Sequence, residues 1–298
     1  MKQGALDFFR SQMASCELCP RRCGVDRLAG EVGFCGATAE PKVASHCLHV
    51  GEEPPISGTR GSGTIFFSHC NMACVYCQNY PISQMGHGNT VTTDVLAGMM
   101  VALQTRGAHN INLVTPTHFL SPVVEAITKA RANGLAVPIV YNTSGYERPE
   151  VIGMLDGIVQ IFLPDMRYAT AEAAAKYSGA PDYPDSNRGA VIAMLSLVGH
   201  LRCQDGLARS GVVIRHLLLP SLLEETRQVL AFISDRLSRE TAISLMSQYF
   251  PANRAHLFPE LDRKVTEEER NAAVALLEEF GLDNGWVQDS DAPASPVA

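Results

Sequence analysis

The sequence has no excess of positive charge and few aromatic residues. Its 298 residues include 24 Lys and Arg against 31 Asp and Glu, which gives a formal net charge of -7, and aromatic residues make up 7%. Proteins that bind nucleic acid or an anionic membrane through surface charge carry a basic excess. We therefore expect neither nucleic acid nor a membrane among the partners.

Long apolar runs are missing as well. No stretch reaches the roughly 18 apolar residues that span a bilayer, and the start MKQGALDFFRSQMAS lacks the basic segment and apolar core typical of a signal peptide. We expect a cytoplasmic protein. The chain is 46% hydrophobic and only 18% charged, so it contains enough apolar residues for a large folded core.

Cysteine is nearly absent from the later part of the chain, since only Cys203 of the nine cysteines lies beyond residue 77. In a reducing cytoplasm, closely spaced cysteines are more often metal ligands than disulfides, and an odd number cannot all pair. The concentration of cysteine in residues 16–77 therefore predicts metal chemistry there. Cys203, in an apolar segment, is predicted to be a core residue.

After residue 60, short apolar runs alternate with helical segments, which is typical of a parallel sheet built from βα units. Six runs are predicted strands: 63–68, 111–117, 138–143, 157–163, 211–219 and 242–249. Six parallel strands with right-handed crossovers close only part of a barrel, and the chemistry of such folds lies at the carboxyl ends of the strands. We predict an α/β fold, a partial (β/α)6 TIM-like barrel with an N-terminal cysteine-rich metal-binding extension.

The predicted organisation has three parts. Residues 1–50 form the metal-binding segment, residues 51–289 the barrel, and residues 290–298 a small, polar tail that we expect to be disordered. Two helices have clear start signals. Ser121 is predicted to cap a helix with Pro122 at its first position and with Val123, Val124 and Ile127 on its inward face. Thr266 and Glu269 have the spacing of a capping box.

Cys70, Cys74 and Cys77 directly follow the first predicted strand, where barrel enzymes keep their active sites. Three thiolates can hold an iron-sulfur cluster with one iron open to another ligand, and an open position suits catalysis. The alternative is three small buried hydrophobic residues. The spacing and the loop position favour the cluster.

This motif resembles that of the radical S-adenosylmethionine (SAM) superfamily, in which three and then two residues separate the cysteines and an aromatic residue precedes the last. Tyr76 takes the aromatic position. The resemblance implies that Cys70, Cys74 and Cys77 are the catalytic residues and hold a 4Fe-4S cluster whose open iron is chelated by SAM. It further implies reductive cleavage of SAM to a 5'-deoxyadenosyl radical that abstracts hydrogen, with a reductant such as flavodoxin or ferredoxin as partner.

Within the superfamily, residues 49–83 (HVGEEPPISGTRGSGTIFFSHCNMACVYCQNYPIS) resemble proteins similar to pyruvate formate-lyase activating enzyme. Such enzymes form a glycyl radical on a partner protein, so the resemblance implies a glycyl-radical enzyme as partner. The sequence departs from them in three ways: residues 115–118 read TPTH where activating enzymes have Gly-Gly-Glu, residues 165–167 read DMR where they have Asp-x-Lys, and the N-terminal cysteines are not part of the short activating enzymes. A small molecule or a peptide is the alternative hydrogen donor.

Polar residues at the predicted strand ends are candidate contacts with SAM, because hydroxyls and amides suit its ribose and an arginine suits its carboxylate. The candidate cofactor-binding residues are Tyr76, Thr115, Thr117, His118, Asn142, Ser144, Asp165 and Arg215. Each has a structural alternative. Asn142 or Ser144 would cap a helix, His118 would be a hydrogen-bonded loop residue, and Asp165 would form an ordinary ion pair with an arginine.

A separate set of four cysteines, Cys16, Cys19, Cys23 and Cys35, lies in a glycine-rich loop. Four thiolates make a closed site, and either zinc or a second iron-sulfur cluster would satisfy them. Two other classes of protein fit the cysteines: an iron-sulfur electron carrier or sensor, and a zinc-binding module. The paired Glu52 and Glu53 are typical of a solvated loop, and we assign no role to them.

Overall fold

The structure, a computed structural model, describes residues 4–289 and 292–296. The strands are β1 (Lys42–His49), β2 (Ser62–Phe67), β3 (Asn89–Thr90), β4 (Ile111–Val114), β5 (Ile139–Thr143), β6 (Ile161–Pro164), β7 (Arg202–Gln204), β8 (Leu207–Leu217), β9 (Ala242–Met246), β10 (Gly285–Asp289) and β11 (Ala292–Pro296). The helices are α1 (Ala5–Ser11), α2 (Pro54–Ser57), α3 (Tyr80–Ser83), α4 (Thr93–Thr105), α5 (Leu120–Ala132), α6 (Pro149–Gly153), α7 (Ala171–Ser178), α8 (Tyr183–Val198), α9 (Leu223–Phe232) and α10 (Glu267–Phe280).

The predicted α/β fold is confirmed as a mixed fold around one central sheet. The sheet has the order β11-β10-β9-β8-β6-β5-β4-β2-β1-β3. The stretch from β2 to β10 is parallel and follows chain order, so each βα unit adds its strand on the same side. Its first six strands coincide with the six predicted ones. Within the described residues, the end strands β3 and β11 each pair with one neighbour, so hydrogen bonds do not close a barrel.

The sheet curves, and the loops at its carboxyl edge meet as a result. On a flat sheet, β2 and β9 would lie five strand spacings apart, about 24 Å. Instead, the rings of Tyr76 and Tyr249, which follow these two strands, have centroids 5.9 Å apart. The Arg254 N–H also donates to the Val75 carbonyl at 2.8 Å. The carboxyl ends of the parallel strands therefore surround one cleft.

The central strands are apolar because both faces of the parallel sheet are covered. Every residue of β5 and β6 is buried. The crossover helices supply the covering faces, and the predicted inward residues Val123, Val124 and Ile127 of α5 are at most 2% exposed. Hydrophobic periodicity was thus a reliable guide to which helix face packs on the sheet.

Two local predictions are wrong, and one short strand was not predicted. Ser121 does not cap α5, which begins at Leu120 with Phe119 as its N-cap residue. A 3-10 turn over Thr117–Phe119 leads directly into the helix, so no side chain forms a capping hydrogen bond. Cys203 is exposed. It lies on the short polar strand β7, which pairs with β8 as a hairpin and which the hydrophobic pattern did not predict.

The two edges of the sheet extend beyond the predicted strands. β1, within the predicted N-terminal segment, pairs antiparallel with β2. At the other edge, β11 lies within the tail 290–298, for which we predicted disorder, and pairs antiparallel with β10; residues 290, 291, 297 and 298 of that tail lie outside the described residues. A strand at a sheet edge has unpaired backbone groups that a following segment can bind.

Of the helices in the described ranges, none is both long and apolar enough to cross a membrane.

The capping box that starts α10 is present as predicted, with the Glu269 N–H donating to Thr266 Oγ1 and the Thr266 N–H donating to the Glu269 carboxylate. We expect Thr266→Ala to lower the free energy of unfolding by about 1 kcal/mol, because a helix N–H loses its partner. Denaturant unfolding measures this change. Thr266→Ser, which keeps the hydroxyl, is the matched control, and an equal loss in both variants would contradict the capping role.

Candidate functional site

The three cysteines of the motif lie in the loop between β2 and α3, at the carboxyl edge of the sheet. All are free thiols; Cys74 is buried, and Cys70 and Cys77 are half-buried. They line one cavity of about 120 Å³, here called the thiol cavity. The strand-turn arrangement therefore brings the three sulfurs to one opening.

Every sulfur of this set has a hydrogen-bond partner: Met72 N for Cys70 Sγ (3.4 Å), Arg167 Nη1 (3.4 Å) and Ser178 Oγ (3.0 Å) for Cys74 Sγ, and Ser83 Oγ for Cys77 Sγ (3.2 Å). Donors of this kind stabilise a thiolate. Burial acts in the opposite direction: it raises the pKa of the Cys70 and Cys77 thiols, and the neighbouring Cys74 raises both further. The nearby Arg167 guanidinium lowers the pKa of both thiols in part.

Five of the predicted cofactor-binding residues line the thiol cavity together with the cysteines. They are Thr115, Asn142, Ser144, Asp165 and Arg215. They come from successive strand ends, because β4, β5, β6 and β8 run parallel and present their carboxyl ends at one edge of the sheet. Position in or just after the carboxyl-terminal part of a predicted strand was the signal that found them.

A buried ion network crosses the cavity. Arg215 Nη2 lies 2.8 Å from Asp165 Oδ1 and donates to Asn142 Oδ1 at 2.7 Å, while Arg167 Nη2 lies 2.5 Å from Asp165 Oδ2. Burial alone would raise the pKa of Asp165, but the two guanidinium groups outweigh it and hold that pKa below its usual value. Asp165 is therefore ionised at neutral pH and fixes both arginines.

Thr115 has a backbone conformation that is unusual for its residue type. Its φ is +57°, in the left-handed region that β-branched residues rarely adopt. The Thr115 N–H donates to the Asn142 carbonyl at 2.8 Å, which holds this conformation at the cavity wall. Strain of this kind concentrates at ligand sites, so it adds to the case for Thr115 as a binding residue.

The remaining three predicted residues do not line the thiol cavity. The Tyr76 hydroxyl is buried 2.6 Å from the Tyr168 hydroxyl. His118 is buried with Nε2 2.7 Å from the Ser68 carbonyl, and burial lowers the pKa of His118 to about 3, so it is the neutral, hydrogen-bonded loop histidine of the alternative interpretation. Thr117 donates to Glu147 at 2.5 Å. The 3-10 turn directs residues 117–119 away from the cavity and into the core.

Sequence reasoning missed Glu147, a fully buried carboxylate beneath the strand ends. Its Oε1 accepts hydrogen bonds from the hydroxyls of Thr117, Tyr141 and Thr143, and its Oε2 has no partner. Burial raises the pKa of Glu147 to about 7, although the hydroxyls lower it in part. A single glutamate in a mixed segment carries no periodic signal, so nothing in the sequence pointed to it.

Glu52 and Glu53 are not solvated, contrary to expectation. Glu53 is 1% exposed, and Glu52 Oε2 lies 3.7 Å from Arg215 Nη1. Both line a second cavity of about 200 Å³, which also contacts β4, β5, β8, β9 and β10. The curvature of the sheet, which the sequence does not reveal, encloses this loop.

The four N-terminal cysteines lie in a loop packed against the sheet. Cys16 and Cys19 are buried, and Cys23 and Cys35 are half-buried. The pKa of Cys16 is raised, first by burial and also by the neighbouring Cys23 and Cys35 thiols, and burial raises the pKa of Cys19 to about 12. Cys16 therefore lies close enough to Cys23 and Cys35 for their charges to affect its pKa.

Two arginines attach this loop to the loops that follow β2 and β4. Arg27 Nη1 donates to the His118 carbonyl and its Nη2 donates to Cys35 Sγ at 3.5 Å. Arg21 Nε donates to the Asn71 carbonyl at 3.1 Å. Within residues 4–289 and 292–296, no three or more His, Cys, Asp and Glu side chains are grouped closely enough to hold a single metal ion.

Comparison with known proteins identifies one relative with substantial sequence identity. No protein-family model matches the chain. The uncharacterized protein MJ0674 of Methanocaldococcus jannaschii is 30% identical over 278 residues, which cover 90% of this chain and 76% of that protein. Among solved structures, SuiB of Streptococcus suis has a TM-score of 0.49 and 9% identity over 74% of this chain, which spans about half (47%) of the length of SuiB. A likeness this weak supports no statement about function.

The buried Glu147 gives stability a dependence on pH. Its pKa is about 7 in the folded chain and 4.5 in the unfolded chain, so between these values the folded state retains a proton that the unfolded state has lost. Stability from this group is present below pH 4.5 and is lost as pH rises toward 7, by up to about 1.4 kcal/mol per pH unit. We expect Glu147→Gln to remove this loss. The free energy of unfolding of the variant should therefore rise relative to that of the wild type as the pH increases from 4.5 to 7.

Denaturant unfolding across this pH range measures the difference between the variant and the wild type. Glu278→Gln, at an exposed position on α10, is the matched control and should show no such trend. A Glu147→Gln difference that stays constant with pH would contradict a buried, protonated Glu147.

Proposed function

The chain belongs to the same family as the uncharacterized Methanocaldococcus jannaschii protein, and from the geometry of its thiol cavity we propose that it is a radical SAM enzyme. One observation carries the proposal. Three free thiols and five polar strand-end residues, which sequence reasoning had assigned to a cluster and to SAM, line the same cavity.

The donor set fits an iron-sulfur cluster. Each sulfur has a hydrogen-bonding neighbour, and a guanidinium lies 3.4 Å from Cys74 Sγ. Hydrogen bonds and charge near the sulfurs set the potential of such clusters. When bound, a 4Fe-4S cluster held by three thiolates supplies the electron that cleaves SAM to methionine and a 5'-deoxyadenosyl radical, which abstracts hydrogen.

The roles of the protein residues follow from their positions. Cys70, Cys74 and Cys77 hold the cluster, and Arg167 stabilises negative charge at Cys74. Arg215 and Asn142, fixed by Asp165, present donors and acceptors at the wall of the cavity. Thr115 adds backbone groups at the same wall, and Ser144 adds a hydroxyl group. Together they bind and orient the amino acid and ribose parts of SAM.

Anaerobic turnover tests the proposal. We expect the full-length protein, reconstituted with iron and sulfide, to convert SAM into methionine and 5'-deoxyadenosine in equal amounts when a chemical reductant is added. Cys74→Ala should lose this activity, because the cluster loses a ligand. Cys203→Ala is the matched control and should retain it, because Cys203 is exposed on β7. Chromatography of the two products is the measurement.

Different results point to the other classes of protein. A fully formed cluster that transfers electrons but leaves SAM intact would make the protein an electron carrier or sensor. Zinc in place of iron at Cys70, Cys74 and Cys77 would make it a zinc module. Either result contradicts radical SAM chemistry.

We also propose that Cys16, Cys19, Cys23 and Cys35 hold a closed metal site, with zinc as the metal. The four cysteines share one loop, and Arg21 and Arg27 hold that loop in place, which supports a structural role. In the Cys16→Ala, Cys19→Ala double variant, we expect zinc to fall by one equivalent per chain while iron and sulfide stay unchanged. Elemental analysis measures this, and loss of iron and sulfide with constant zinc would show a second cluster instead.

A further inference from the structure

The second cavity, here called the acidic chamber, adjoins the thiol cavity. Four residues line both: Asn79, Val114, Asn142 and Arg215. A ligand in the acidic chamber would therefore contact the same side chains as a ligand in the thiol cavity. This is the position that a substrate needs, because a reactive group formed in one cavity must reach a bond held in the other.

The charges around the two cavities do not balance. Three carboxylates line them, those of Glu52, Glu53 and Asp165, against the two guanidinium groups of Arg167 and Arg215. Asp165 engages both arginines, and Glu52 lies within 3.7 Å of Arg215. His49, the other titratable side chain at the chamber wall, is not within ion-pair distance of either glutamate. Of the three carboxylates, Glu53 is the one without a guanidinium within ion-pair distance, although Arg215 is near enough to lower its pKa in part.

Glu53 is a buried carboxylate with one unpartnered oxygen. It is 1% exposed, and its Oε2 has no hydrogen-bond partner. Because Pro54 follows it, the Glu53 backbone is held extended (φ -50°, ψ 143°) at the start of α2, which fixes where its side chain begins. Burial raises the pKa of Glu53 to about 7. An unpaired carboxylate at such a depth is costly unless a cation binds it.

We propose that the acidic chamber binds the positively charged amine or amidine group of a small-molecule substrate, with Glu53 as the main counter-charge and Glu52 as the second. This inference rests on the proposed radical SAM function, for which it names the class of hydrogen donor. Glu53 accepts hydrogen bonds from the cation, and a planar amidinium offers two parallel donors to one carboxylate. Phe66, Val114 and Met246 provide apolar contacts for the rest of the ligand.

An isosteric series of probes tests the charge preference directly. Benzamidine, benzamide and benzoate have nearly the same shape but are positive, neutral and negative. We expect calorimetric titration of the reconstituted full-length protein to show benzamidine binding at least about ten-fold more tightly than benzamide, and benzoate more weakly than either. Equal affinity for benzamidine and benzamide, or no benzamidine binding, would overturn the proposal.

Variants then locate the site. Glu53→Gln, which keeps the shape but removes the charge, should abolish the preference for benzamidine over benzamide, and Glu52→Gln should reduce it. Glu278→Gln, exposed on α10, should leave it unchanged. A preference that survives both chamber substitutions places the binding elsewhere and overturns the proposal. If thermal unfolding shows that Glu53→Gln does not fold, the Glu52→Gln variant and the three probes on the wild type still test the proposal.

Cleavage of SAM without added substrate, measured on the same wild-type preparation, separates the two hypotheses. Cleavage with no charge preference means that the acidic chamber proposal alone fails. Charge preference without cleavage means that the protein binds a cationic ligand but is not a radical SAM enzyme.

Discussion

The buried carboxylate of Asp165 connects the parts of the site to one another. It follows β6 directly and pairs with Arg215 on β8 and with Arg167 in its own loop. Its backbone is equally engaged, since the Asp165 N–H donates to the Thr143 carbonyl and its own carbonyl accepts from Tyr183 and Asn187. Without this charge, Arg167 would lose its ion-pair partner and Arg215 would keep only the more distant carboxylate of Glu52, which is destabilising for part-buried guanidinium groups.

The same neighbourhood explains why a glycine stands at position 145. Gly145 has φ +74°, and a Cβ atom there would lie 2.4 Å from the Asp165 carbonyl oxygen and 2.1 Å from Asn187 Nδ2. Any side chain would push apart the loops that follow β5 and β6. Ser144 on one loop and Asp165 on the other can line one cavity because this close approach is possible.

The sequence predicted the parts of this protein that depend on local pattern. The six parallel strands, the inward face of α5 and the capping box at Thr266 follow from hydrophobic period and from hydrogen bonding between near neighbours. Placement near the carboxyl end of a strand was also sufficient for Asn142, Asp165 and Arg215. The same rule did not work for Thr117 and His118, because a short 3-10 turn, for which the sequence has no strong signal, redirects the chain.

Glu53 and Glu147 were missed for a different reason: their burial depends on how the sheet curves, and curvature is a property of the whole fold.

The attachment of the N-terminal loop bears on where the chain could be divided. Phe9, Cys16 and Leu18 belong to the same hydrophobic core as the sheet strands, and Arg21 and Arg27 bind the backbone of Asn71 and His118, far along the chain. A cut at residue 50 would remove part of this core and leave buried carbonyls next to Cys70 without donors. Residue 50 therefore separates the two cysteine sets along the chain but not two folding units, and the fragment from residue 51 onward is a poor candidate for expression on its own.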